Sequence, residues 1–102
     1  MTTISWPTKD PSESLVREWD FSSRLNAGET ISGVVVAVSL LAGADPNPAT
    51  MLLSAATIAG GVVSQPVRGG VHGAAYKFRC VATLAPSGRV LVLAATLQVR
   101  TA

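Results

Sequence analysis

The sequence predicts an all-β domain, a single β-sandwich of about seven short strands with an irregular N-terminal arm. Three observations carry that reading. Apolar residues recur with period two in the C-terminal third, turn residues interrupt the chain every 8–12 positions, and no long segment holds a helical period. The 102 residues are enough for one domain. The expected division is an arm over residues 1–14 and the sandwich over residues 15–102.

The arm is polar and carries Pro7 and Pro11, and each proline pushes the residue before it towards extended geometry. Leu15 to Phe21 alternates, with Leu15, Trp19 and Phe21 on one side and Glu18 and Asp20 on the other. A half-buried strand is expected there, with a short helix capped by Ser12 or Ser14 as the competitor. Asn26-Ala27-Gly28-Glu29 is a turn by composition. Ile31 to Leu41 is rich in valine and apolar at both parities, the pattern of a strand buried on both faces.

The two X-Pro steps within Asp45-Pro46-Asn47-Pro48 make residues 43–48 a loop. Residues 50–59 mix alanine and leucine with Thr50, Thr57 and Ile58, and stay open between helix and strand. Gly60-Gly61 signals a two-residue hairpin into Val62–Val67, where Pro66 belongs at an edge or an end. Arg68-Gly69-Gly70-Val71-His72-Gly73 lacks the spacing of a phosphate-binding loop and precedes no helix, so it reads as a turn. Tyr76, Phe78, Cys80 and Ala82 then share one face, with Lys77, Arg79, Val81 and Thr83 on the other. Pro86-Ser87-Gly88 turns the chain into a final strand from Arg89 to Arg100.

Composition excludes several function classes. The chain is 48% hydrophobic and 14% charged, against roughly 25% charged in ordinary soluble domains. Its longest apolar stretch, Ile31 to Ala44, falls short of the roughly 20 residues a spanning helix needs, and no membrane insertion is expected. The N-terminal residues show neither a basic leader nor an apolar h-region, so no Sec-type signal is expected. All six acids lie in residues 1–45, which sum to −3, whereas residues 46–102 hold five basic residues and no acid. Five spread cations form no run, so no nucleic-acid partner is expected.

The single cysteine, Cys80, permits neither an intrachain disulfide nor a cysteine zinc site, and His72 has no second imidazole. No nucleophile elbow occurs, and Asp10, Glu13, Glu18 and Asp20 read as solvated charge rather than paired catalytic carboxylates. No enzymatic activity, metal or cofactor is expected. Trp19, Phe21, Tyr76, Phe78 and Cys80 are the candidate core. The candidate interface is Trp6, Lys9, Asp10, Pro11 and Glu13 at the front and Lys77, Arg79 and Arg89 at the back. Trp6 is either an interface anchor or a plug that folds back on its own sandwich. A chain whose acidic and basic halves face apart would self-associate head to tail in a ring; one whose halves face each other would hold its own arm down.

Tyr76, Phe78 and Cys80 also resemble the strand pair of immunoglobulin-type domains, although the tyrosine precedes the cysteine by four and no partner cysteine exists. A wider resemblance rests on Trp6-x-x-Lys9-Asp10-Pro11-x-Glu13, Trp19-Asp20-Phe21 and Leu25-x-x-Gly28-Glu29-Thr30-Ile31. It continues through Gly69-Gly70-x-x-Gly73-x-x-Tyr76 and Ser87-Gly88-Arg89. On these residues the chain resembles the fiber-tail adaptor proteins of tailed bacteriophages and prophages, small structural proteins of the head-tail region. The resemblance implies an immunoglobulin-like sandwich in the virion tail or neck, made in the host bacterial cytoplasm. It implies other virion structural proteins as partners, multimeric contacts and no catalysis. Residues 43–67 depart from the family pattern in being alanine-rich. The competing function is a small immunoglobulin-like module that recognises a glycan or a host surface, although the loops at 43–49 and 68–73 carry no aromatic residue for it. A cytoplasmic regulator has no helix-turn-helix to support it.

Overall fold

A computed structural model describes the backbone of residues 2–102 and the side chains from Ile4 onward. Two sheets pack face to face. One has four strands in the order β1-β7-β6-β3, the other three in the order β2-β5-β4. The strands are β1 (Thr2–Ser5), β2 (Leu15–Asp20), β3 (Thr30–Ala42), β4 (Thr57–Ala59), β5 (Val62–Val67), β6 (Ala75–Ala85) and β7 (Val90–Gln98). The architecture is the expected all-β sandwich, consistent with the immunoglobulin-like class. Among the described residues no helix is long and apolar enough to cross a membrane.

β6 organises the core. It pairs antiparallel with β3 on one side and β7 on the other. Its Tyr76, Phe78, Cys80 and Ala82 are fully buried, as period-two alternation requires of one strand face. They meet Trp19 and Val63 of the opposite sheet, together with Phe21, in one hydrophobic cluster. Residues 15–20 take the strand form rather than the helical one. Beyond them the side chain of Asp20 accepts the Ser22 N–H at 2.8 Å and turns the chain into a short 3-10 segment, Ser22–Arg24.

Three expectations change on contact with the fold. The arm is not irregular throughout, because Thr2–Ser5 forms β1 and pairs parallel with β7. β3 is not buried on both faces, because it is the edge of its sheet and Val35 is 68% exposed. Its valines at both parities therefore serve two different surfaces, a distinction that composition cannot make. Residues 50–59 are neither one helix nor one strand: Pro48–Met51 is a 3-10 turn and only Thr57–Ala59 is a strand.

Gly60 and Gly61 form the β4–β5 turn, and a Cβ on Gly61 would lie 2.8 Å from Ser22 Cα. Pro66 sits on the central strand β5 rather than an edge strand, but beyond Ser64, where β4 has already ended, so its missing N–H breaks no ladder. The 68–73 loop is a turn that packs tightly. Gly70 adopts φ +95°, and a Cβ there would lie 2.8 Å from Val99 Cγ2.

Candidate functional site

The arm follows the edge of the four-stranded sheet and continues past it. The Trp6 N–H donates to Thr96 O at 2.9 Å, Lys9 N–H to Gln98 O at 3.0 Å, and Arg100 N–H to Lys9 O at 2.9 Å. This places Trp6, 8% exposed, against the core, with ring centroids 4.8 Å from Trp19 and 5.4 Å from Phe78. The placement is that of the plug rather than an exposed anchor. Lys9 is also buried, and its ammonium donates to Asp10 O at 2.8 Å and Gly69 O at 2.7 Å. Burial pulls its pKa below the ordinary lysine value, opposed by the carboxylates of Glu13 and Asp10.

Asp10, Pro11 and Glu13 form a compact turn. Asp10 N–H donates to Glu13 Oε1 at 2.8 Å, while Asp10 Oδ1 accepts Ser12 N–H at 2.7 Å. Asp10 Oδ2 takes the Ala102 N–H at 2.8 Å, so this turn also holds the C-terminal residue. The N–H groups of Ala102 and Ser12 hold the Asp10 carboxyl below its usual range. Glu13 remains exposed and Pro11 half-buried.

Of the three basic candidates at the back of the chain, Arg89 is engaged within the chain. Its Nε donates to Glu29 Oε2 at 2.9 Å, and its Nη2 donates to Glu29 Oε1 at 2.6 Å and Arg24 O at 3.0 Å. Ser87 Oγ also donates to Glu29 Oε2. The hydrogen bonds from Arg89, Ser87 and the Asn26 N–H push the Glu29 pKa down to about 2. In the unfolded chain this carboxyl takes up its proton near 4.5. Below that pH the unfolded state binds more protons, so the stability from the pair is present above pH 4.5 and is lost as the pH falls towards 2. Urea midpoints measured from pH 5 to pH 2 are expected to fall for the native chain and to fall less steeply for Arg89→Met. An unchanged slope in Arg89→Met contradicts the assignment.

Lys77 and Arg79 make no hydrogen bond or ion pair among the described residues. Both project from the outer face of β6, opposite the buried Tyr76, Phe78 and Cys80. Their cross-strand neighbours on β3 are Ser39 and Ala37, and on β7 Thr96 and Ala94. No strand residue on this face is acidic. The outer face of the three-stranded sheet is the converse. Glu18 and Asp20 project from β2 away from buried Trp19, and no strand residue there is basic. Glu29 and Arg89 therefore neutralise each other within the chain, while the strand acids Glu18 and Asp20 and the strand cations Lys77 and Arg79 occupy opposite outer faces.

Three further groups are tied into the fold. Cys80 is buried, and desolvation pushes its thiol up to about 11. His72 Nδ1 accepts the Thr101 N–H at 2.9 Å. The Tyr76 hydroxyl donates to Asp45 Oδ2 at 2.7 Å and accepts the Val71 N–H at 2.9 Å, fixing the 68–73 loop. No group of three or more potential metal ligands occurs among the described residues. One groove runs along Ser5, Trp6, Thr8, Leu41, Ala75, Thr96 and Gln98; another lies between β3 (Val34, Val36) and the 52–56 segment, with Gln65 at its floor. Neither is lined by a titratable group.

Sequence reasoning missed the Glu29–Arg89 pair and the burial of Lys9. The first joins the residue before β3 to the residue before β7, the two strands that flank β6, so its only signal in the sequence is opposite charge at two turn positions. Nothing local announces the second. Compared with known proteins, the chain matches over residues 9–99 a family model described as podophage GP4 fiber-tail adaptor protein gp77. No curated protein and no solved structure matches it.

Proposed function

The chain belongs to the podophage GP4 fiber-tail adaptor family, structural proteins of the phage tail, and we propose that it works as a non-catalytic homo-oligomeric ring joining tail or neck components. It is made in the cytoplasm of the bacterial host and built into the virion, where its partners are other tail, neck or fibre proteins. The observation that supports self-association is the segregation of unpaired charge onto opposite outer faces of the sandwich. A surface of one sign cannot satisfy itself, but it can meet the other sign on the next copy.

The interface first expected from the sequence narrows accordingly. Trp6 and Lys9 brace the arm, Arg89 braces the Glu29 turn, and Asp10, Pro11, Glu13, Lys77 and Arg79 remain available for contact. The glycan-binding alternative needs an exposed aromatic platform, and all five aromatic residues are buried. Sedimentation velocity on the purified chain tests the multimer. The expected species is several times the 10.5 kDa monomer mass and loosens as salt is raised. A monomer at every concentration overturns the reading.

A further inference from the structure

The two outward faces match in more than charge. On β6 the outward residues include, in order, Lys77, Arg79 and Val81, at alternate positions. On β2 they are Val16, Glu18 and Asp20, also at alternate positions. Read in opposite directions the two runs pair Lys77 with Asp20, Arg79 with Glu18 and Val81 with Val16. Both runs have the same two-residue spacing, set by the strand repeat of roughly 6.6 Å.

The apolar ends match as well. Val81 sits in a row with Val35 of β3 and Val92 of β7, which are its direct cross-strand neighbours. Val35 is 68% exposed, and Val90 at the start of β7 is 56% exposed. Across the sandwich, Val16 is 59% exposed and neighbours Pro66 of β5. Each face thus carries a valine-centred apolar end and a charged end of a single sign. Patches of this kind on a small domain with few charges mark a contact surface.

We infer that the contact between copies is a sheet-on-sheet packing. The outer face of β2 and β5 of one copy lies on the outer face of β3, β6 and β7 of the next. The occupant is a second copy of this chain, selected by sign and spacing together. Facing sheets pack about 10 Å apart, a gap that glutamate and arginine side chains span between them. Because the two faces are different and lie on opposite sides of the molecule, the contact is heterologous. It adds copy to copy and closes into a ring when the rotation per copy permits. This inference rests on the multimer proposed above, and names the surfaces that build it.

Two reversed variants test it by sedimentation equilibrium. Glu18→Lys with Asp20→Lys makes both faces basic, and Lys77→Glu with Arg79→Glu makes both acidic. Each is expected to weaken self-association roughly 100-fold, because like charges then face each other. An equimolar mixture of the two variants is expected to reassociate, since each supplies the face the other lacks. A variant that simply misfolds cannot be rescued by mixing. A second measurement is independent of charge: Val16→Cys with Val81→Cys is expected to give a covalent ladder with a short bis-maleimide cross-linker, which spans the gap that facing sheets leave and that a direct disulfide does not, with the buried Cys80 left unmodified. If the native chain is monomeric, the multimer itself fails. If the native chain is multimeric but the reversed pairs associate as it does and no ladder forms, this contact is wrong and the multimer stands.

Discussion

Trp19→Ala is expected to lower the unfolding free energy by about 3–5 kcal/mol, a large part of the roughly 5–15 kcal/mol available to a domain. Trp19 is fully buried on β2 and meets Trp6 at 4.8 Å. The indole therefore ties three parts together: the three-stranded sheet, the arm and, through Trp6, Phe78 of the four-stranded sheet. Removing it leaves a cavity in the buried cluster between the sheets. The effect should exceed that of Trp19→Phe, since Nε1 of Trp19 has no hydrogen-bond partner among the described residues and its loss removes an unpaired buried donor. The double variant Trp6→Ala with Trp19→Ala should cost less than the sum of the two single losses, because the two truncations remove one shared contact. Urea unfolding followed by circular dichroism measures the native chain and the four variants. A loss below about 1 kcal/mol in Trp19→Ala would show that the sheets are held together elsewhere.

Lys9→Ala is expected to destabilise by about 2–5 kcal/mol, in the range of a buried aliphatic truncation, because the four-carbon stem is buried like that of a core residue. Lys9→Met separates the stem from the ammonium. It keeps the packing but leaves Asp10 O and Gly69 O without their donor, and should cost about 1–3 kcal/mol. The ordering Ala worse than Met is the informative part. If both substitutions are neutral, the arm is not held down at Lys9, and hydrogen-exchange protection at Arg100, whose N–H donates to Lys9 O, should be low in the native chain too.

Much of the fold could be read directly because strand alternation is local. Tyr76, Phe78, Cys80 and Ala82 declare their face by parity alone, and Gly60-Gly61 declares a turn. What stayed hidden depended on strand order. Val35, Val36 and Val38 look alike in sequence, and only the packing of the second sheet against one face of β3 separates a half-buried Val36 from an exposed Val35. The arm looked irregular because Pro7 and Pro11 break it. Yet Thr2–Ser5, ahead of both prolines, is free to pair, and a parallel partner 91 residues away leaves no local trace. Lys9 falls in the candidate interface by sequence because lysines are almost always exposed, and its burial depends on Gly69, 60 residues away. The contact surfaces were half legible. The sign of each could be read, but their placement on opposite faces required knowing which strands share a sheet.

Quantitative mass spectrometry of purified virions, with copies per particle counted against a coat protein, tests the central claim most directly. The account predicts this chain in every particle at several copies, in fixed ratio to the tail proteins. Particles that are complete and infectious without the chain would contradict it.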